Sequence, residues 1–199
     1  MFPQTDVIIP AKNEDKTIGD IVETLEADPR IGQIIVCCDS CDDGTEVTAL
    51  LHGASMVLAD KYGGKGQAVM AGLEHVRTDK VMFCDADYVG VTEDHVSALL
   101  CDCPGIVVGI PDIPPEYPDH RLWAWPWCSG LRIVPTVLTL PLELHGYLME
   151  TQLNLAARNV QMAVRFKWLH GLKAPWNMSE TRLAAMQADY EWGKEHGIL

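Results

Sequence analysis

The stretch FCDADY, Phe83 to Tyr88, ends an apolar run that begins at Val81 and leaves two carboxylates, Asp85 and Asp87, one residue apart at its close. Val81-Met82-Phe83-Cys84 reads as a buried strand. Ending such a strand with two like charges is costly through repulsion and desolvation, unless a cation or a hydrogen-bonding ligand sits between or beside them.

Outward from this stretch, toward the N-terminus, strand-like and helix-like segments take turns. Residues 5–10 read as a strand ending at Pro10, and residues 14–27 carry Ile18, Ile21, Val22 and Leu25 at helical spacing. Residues 33–38 form the next apolar run, followed by the turn-rich DSCDDGT and a helix through Val47, Leu50 and Leu51. A short strand at 54–58 and a helix at 65–75 complete the series before the strand at 81–84. This alternation predicts right-handed crossover units, and so an α/β fold whose mostly parallel sheet is covered by helices on both faces. Ligands of such sheets collect beyond the carboxyl ends of the strands, which puts Pro10, Asp39 and Asp85 along one edge.

Toward the C-terminus the texture changes. IPDIPPEYPDH, residues 110–120, carries four prolines and reads as an extended surface loop, neither helical nor a central strand, able to act as a flap. The segment that follows holds Trp123, Trp125 and Trp127, expected to pack and capable of stacking on a sugar or base. A helix is predicted from about Leu148, and an amphipathic helix over 179–196, capped by Ser179-Glu180.

With 199 residues, 48% of them hydrophobic, the chain can bury one full core, so residues 1–199 are expected to form a single domain. Its formal net charge of −13 disfavours a polyanionic partner; the local basic candidates, Arg158, Arg165, Lys167 and Lys173, read as the solvated face of a helical region. No run approaches the roughly 18 to 20 apolar residues of a membrane span, and Asp6 precedes any long apolar run, so the expectation is a soluble, cytoplasmic protein. Seven cysteines, with Cys37, Cys38 and Cys84 in or beside apolar runs, suit small core hydrophobes in a reducing compartment. Cys38-x-x-Cys41 with Cys101-x-Cys103 lacks the paired second C-x-x-C of a zinc site.

Several short motifs occupy the predicted ligand edge. Pro10, Asn13 and Glu14 lie where strand one passes toward helix one, although Asn13-Glu14 also serves as an ordinary helix start. Asp39 leaves strand two, while Asp43 and Thr45 suit helix capping. YGGKGQA joins a glycine turn to a helix start carrying Lys65, an arrangement favourable to phosphate. It is not a Walker loop, and no G-x-G-x-x-G follows strand one, which weakens the P-loop and dinucleotide readings.

Taken in order and spacing, Pro10-x-x-Asn13-Glu14, the Asp39 turn ending DDGT, GGKGQA with Gly72 beyond it, and the D-x-D of Asp85-Ala86-Asp87 resemble the GT-A glycosyltransferases of family 2. SGLR at 129–132, GYLME at 146–150 and the histidine of WLHGLK extend the likeness toward the soluble group around glucosyl-3-phosphoglycerate synthase. The resemblance implies a GT-A fold, with residues 1–104 as the nucleotide-sugar-binding half and 105–199 as the acceptor-side half with a C-terminal helix. It implies a nucleotide-diphospho-sugar donor, UDP- or GDP-linked, bound by Pro10, Ala11, Asn13, Glu14, Asp39, Lys65, Asp85 and Ala86. Asp85 would hold the ribose, and Asp87 with His170 would hold Mn2+ or Mg2+. Glu150 would lie by donor sugar and acceptor, and Ser129, Gly130, Arg132 and Tyr147 would bind the acceptor. Asp87, Glu150 and Lys65 are the implied catalytic residues.

The likeness has departures. Cys38 stands where the family often has an acidic residue, leaving base recognition to Asp39 and backbone atoms. No arginine-rich clamp for a phosphoglycerate acceptor is evident, so that acceptor does not carry over.

The expected activity is therefore metal-dependent transfer of a hexose or pentose to a hydroxyl acceptor, with a small molecule favoured over a hydroxylated base in DNA, no membrane partner, and a homodimer allowed. Two other readings compete. A sugar nucleotidyltransferase would carry a glycine-rich loop with arginine and lysine after strand one, which PAKNEDKT does not supply. A noncatalytic nucleotide-sugar sensor would show decay, whereas Asp85, Asp87 and Lys65 are intact.

Overall fold

Strand β1, Thr5–Ala11, is apolar on both faces over Val7, Ile8 and Ile9, the pattern of a parallel strand covered on each side. It lies inside the sheet, between two neighbouring strands, in a computed structural model that describes residues 4–102, 104–112, 129–140, 142–144 and 146–174, the side chain of Tyr147 excepted. Around it are β2 (Ile31–Asp39), β3 (Met56–Asp60), β4 (Lys80–Phe83), β5 (Ile106–Asp112), β6 (Arg132–Pro135) and β7 (Val164–Lys173). The order across the sheet is β3-β2-β1-β4-β6-β5-β7. Among the described residues every pairing between these strands is parallel except the two made by β6, so the sheet is mostly parallel as expected.

Successive residues of β1 face opposite sides, and each side meets its own helices. Val7 and Ile9 join Ile18, Ile21 and Leu25 of α1 (Ile18–Glu26) and Val96 and Leu99 of α4 (Glu93–Leu99). Ile8 joins Ala68 and Val69 of α3 (Lys65–Leu73) and Met149, Leu153 and Ala157 of α6 (Met149–Asn159). Close approach of α3 explains Gly72: a methyl there would come within 2.9 Å of Ile8 and 3.0 Å of the Cys37 sulfur. The described residues also form the short α-helices α2 (Thr45–Leu51) and α5 (Thr136–Thr139) and a single 3-10 turn, Gly146–Leu148.

The structure corrects several sequence expectations. The helix expected over 14–27 begins only at Ile18, because Asn13 and Glu14 are used in a turn. On α2 the expected apolar markers Val47, Leu50 and Leu51 are exposed, and Thr45 and Ala49 face the core. Ile110, Pro111 and Asp112 were expected in a loop; they belong to β5, an internal strand between β6 and β7. Pro111 is tolerated because its nitrogen, like that of Gly109, which donates to the Leu131 carbonyl, faces the β6 side, and the β5–β6 pairing has already ended at Val108. Arg165, Lys167 and Lys173, expected in a helical region, lie on strand β7, and only Arg158 is on a helix. Helix α4 was not foreseen, although Thr92, whose hydroxyl accepts from the His95 N–H, is followed by two acids in its first turn.

The proline-rich segment beyond Asp112, the tryptophans Trp123, Trp125 and Trp127, Cys103 and the helix expected over 179–196 lie outside the described residues. Among the described residues no helix is long and apolar enough to cross a membrane.

Candidate active site

Between β1 and β4 the chain changes its direction of travel across the sheet, and such switch points open a crevice beyond the strand ends. Three loops meet there. After β1, Asn13 adopts a left-handed conformation, φ 59°, that asparagine tolerates better than most residues. Its Oδ1 accepts the Asp42 N–H at 2.9 Å, and Glu14 N–H donates to Thr45 Oγ1 at 2.8 Å, so the first loop is sewn to the turn after β2. Thr17 Oγ1 donates to the Ala86 carbonyl at 2.7 Å, tying the same loop to the D-x-D turn beyond β4. Pro10, Ala11, Asn13, Glu14, Asp85, Ala86 and Asp87 are thereby brought to one edge.

Asp39, at the end of β2, is buried and its carboxylate faces the glycine turn. Oδ1 accepts from the N–H groups of Tyr62 (2.9 Å) and Gly63 (3.2 Å), and Oδ2 from that of Gly64 (2.8 Å). Gly63 and Gly64, at φ 86° and 136°, supply the backbone conformation that points these three donors one way. An internal carboxylate thus takes up the N–H groups of residues 62–64, ahead of the helix start.

The turn delivers Lys65 to the first position of α3. Its Nζ lies 2.6 Å from Asp85 Oδ1 and 2.7 Å from Glu150 Oε1. Burial works against the ammonium, but the two carboxylates more than reverse that, and the Lys65 pKa is raised. Glu150 sits in the first turn of α6, almost wholly buried. Gly130 passes directly over the Asp85 carboxylate, where any side chain would overlap it.

Behind this cluster, Arg132 has no accessible surface. Its guanidinium donates to the Ser129 carbonyl, to the Glu150 carbonyl at 3.3 Å and to Asn154 Oδ1 at 3.1 Å. Ser129 in turn donates to the Gly109 carbonyl. Arg132 and Ser129, expected beside an acceptor, thus fasten β5, the 129–131 loop and α6 together. Gly130 borders the cluster; the Tyr147 side chain lies outside the described residues. Sequence reading missed Tyr88, which is buried against this loop. Burial first, and then the Asp85 charge, push its phenol up, while a hydrogen bond with Ser129 opposes the shift.

His170 lies on strand β7 and is exposed. Its Nδ1 is 3.3 Å from Asp112 Oδ1. The Asp112 carboxyl is held below its usual range, chiefly by the Gly171 N–H at 2.7 Å on Oδ2 and then by His170. Reciprocal backbone hydrogen bonds of 2.9 Å join Val89, just past the D-x-D turn, to Lys173, so the segments carrying Asp87 and His170 run side by side. A carboxylate oxygen and an imidazole nitrogen suit Mn2+ or Mg2+ when phosphate oxygens and water complete the shell. Among the described residues no three His, Cys, Asp or Glu side chains converge into a cluster that could hold a metal ion.

The thiols of Cys37 and Cys84 behave as core groups. Cys37 is pushed up to about 12 by burial, and Cys84 is pushed up by burial and then by Asp85 and Asp87.

A mostly parallel sheet in this order, with an acidic pair beyond β4 at the switch point, defines the GT-A class of folds. Within that class the chain belongs to glycosyl transferase family 2, whose model matches residues 6–132. The fold is similar to that of glucosyl-3-phosphoglycerate synthase from Mycobacterium tuberculosis, solved with Mn2+, UDP and glucosyl-3-phosphoglycerate: TM-score 0.80, 21% identity, covering 99% of this chain and 81% of that one. Mannosyl-3-phosphoglycerate synthase from Rubrobacter xylanophilus gives 0.78 at 22% identity, over 98% of this chain and 75% of that one. By sequence, 4,4'-diaponeurosporenoate glycosyltransferase from Staphylococcus aureus (strain MRSA252) is 34% identical over 99 residues, 47% of this chain and 26% of that protein. The chain thus spans about a quarter of the length of the curated relatives it matches.

Proposed function

We propose that the protein is a metal-dependent glycosyltransferase that moves a sugar from a UDP- or GDP-linked donor to a hydroxyl of a small acceptor. The observation that carries this reading is the Lys65–Asp85–Glu150 cluster beneath Gly130, at the switch point of a GT-A sheet. In this reading Asp85 holds the donor ribose, and Asp87 and His170 hold the cation. That cation, when bound, supplies Lewis-acid neutralisation of the departing diphosphate.

The chain's own residues do the rest. Lys65 places a fixed positive charge beside the D-x-D turn, where negative charge develops as the donor bond breaks. Glu150, anchored through Oε1, orients the acceptor hydroxyl by accepting its hydrogen bond. Arg132 is a positioning residue: it holds the backbone of Glu150 and of Ser129, the neighbour of Gly130, without reaching solvent. The paired acids that open the sequence reading find one partner in Lys65 and, in this proposal, the other in the cation.

The test is a thermal-shift series with UDP- and GDP-sugars, with and without Mn2+, followed by a turnover assay. Binding to the native state raises apparent stability. A donor is expected to stabilise the wild type only with Mn2+, and Asp87→Ala is expected to abolish that effect. Equal stabilisation of Asp87→Ala contradicts the metal assignment. Donor binding with no transfer or hydrolysis in the presence of Mn2+ would make the protein a sensor.

A further inference from the structure

The structure of β7 around His170 departs from a regular ladder. Pro111 of β5 pairs with Leu169, but the next residue, Asp112, pairs with Lys173, so His170, Gly171 and Leu172 bulge out between them. Bulges of this kind re-aim side chains and strand their own backbone groups without ladder partners. Here side chains take them over. His95 Nε2 donates to the His170 carbonyl at 2.9 Å, and the Gly171 N–H, in a residue at φ 90°, donates to Asp112 Oδ2 at 2.7 Å. The second Asp112 oxygen faces His170 Nδ1 at 3.3 Å. One carboxylate thus grips both the backbone of the bulge and the ring it carries.

We infer that Asp112 is a positioning residue that keeps the His170 proton on Nδ1 and presents an unprotonated Nε2 for a divalent cation. A carboxylate can only accept, so the ring nitrogen facing it must donate. The lone pair is then left on Nε2. Carboxylates behind ligating histidines commonly act in this way, fixing tautomer and ring orientation. The inference rests on the proposal that His170 is a metal ligand, and the experiment separates the two.

Asp112→Asn is the informative variant. The amide oxygen can still accept from Gly171 N–H and keep the bulge, while its NH2 group donates toward the ring and reverses the tautomer. Long-range 1H–15N NMR of the metal-free protein at about pH 8, where an ordinary histidine is neutral, reads the tautomer directly, with His170→Gln assigning the signal. The wild type is expected to carry the proton on Nδ1 and Asp112→Asn on Nε2. In the presence of UDP, Mn2+ titration followed by EPR is expected to show about 10- to 100-fold weaker binding for Asp112→Asn, and a loss at least as large for His170→Gln. A wild-type proton on Nε2, or a tautomer indifferent to Asp112→Asn, overturns the role of Asp112. Unchanged Mn2+ affinity in His170→Gln overturns instead the assignment of His170 as a ligand.

Discussion

Lys65 and Glu150, 85 residues apart in sequence, meet at 2.7 Å in an ion pair that joins the first turn of α3 to the first turn of α6. Asp85 completes the cluster at 2.6 Å from the same Nζ. One ammonium therefore serves two carboxylates, at the edge where the donor is proposed to bind.

Removing that ammonium is expected to cost more than removing either acid. Lys65→Met leaves Asp85 and Glu150 uncompensated. The Glu150 side chain is 6% exposed and that of Lys65 19%. Stripping one partner from a fully buried pair costs about 3–5 kcal/mol; the partial exposure here brings the expectation down to about 2–3 kcal/mol. Adding Glu150→Gln to Lys65→Met removes one of the stranded charges, so the double variant should be more stable than the sum of the singles by about 1–3 kcal/mol. Urea unfolding of the four proteins measures this coupling, and strict additivity would show that the pair is incidental.

The same pair predicts a pH dependence. The folded-state pKa of Lys65 is raised above the ordinary 10.5, so its contribution is fully present below 10.5 and is lost as pH rises through the folded value. The stability gap between wild type and Lys65→Met should be flat across neutral pH and narrow only in the alkaline range. Thermal unfolding at closely spaced pH values up to about 11 checks this. A gap that closes near pH 7 would mean that Lys65 is not charged through both carboxylates.

How much of this was legible in the sequence depends on whether a signal was local. The strands β1, β2 and β4 and the acidic edge could be read, because each is a short apolar run cut off by a turn residue. The helix α2 could be recognised, but not its orientation: Val47, Leu50 and Leu51 have the right spacing, yet Thr45 and Ala49 fit under the sheet and the larger residues face out. Strand β7 was hidden by its charges, although Val164 and Phe166 alternate with Arg165 and Lys167 in a strand period. The grip of Asp39 on the 62–64 turn and the burial of Arg132 had no local sign. Both depend on chain segments brought together by the sheet.

Asp39 is expected to matter first through the glycine turn. Asp39→Ala strands three N–H donors at the entrance to α3 and should cost about 2 kcal/mol, the scale for losing hydrogen bonds to a charged acceptor. Amide hydrogen exchange should accelerate at Tyr62, Gly63 and Gly64 before it does elsewhere, and Lys65 should lose its fixed placement with them. Unchanged protection at these three amides would show that the turn is held by its own geometry and not by Asp39.

Gly130 offers the sharpest separation of stability from function. A methyl group at this position would overlap the Asp85 carboxylate, which is 24% exposed and can swing outward rather than distort the core. Gly130→Ala should therefore unfold within about 1–3 kcal/mol of the wild type, the usual cost of overpacking, while Asp85 leaves Lys65. Misplacement of a binding group by about 1 Å commonly costs 100-fold, so transfer and metal-dependent donor stabilisation should fall by at least about that factor. Gly44→Ala, whose nearest neighbours would be 3.7 Å away, is the control and should change neither. A Gly130→Ala protein with full donor binding would show that the contact between Gly130 and Asp85 is dispensable, and with it the idea that the site depends on a bare backbone passing over the D-x-D turn.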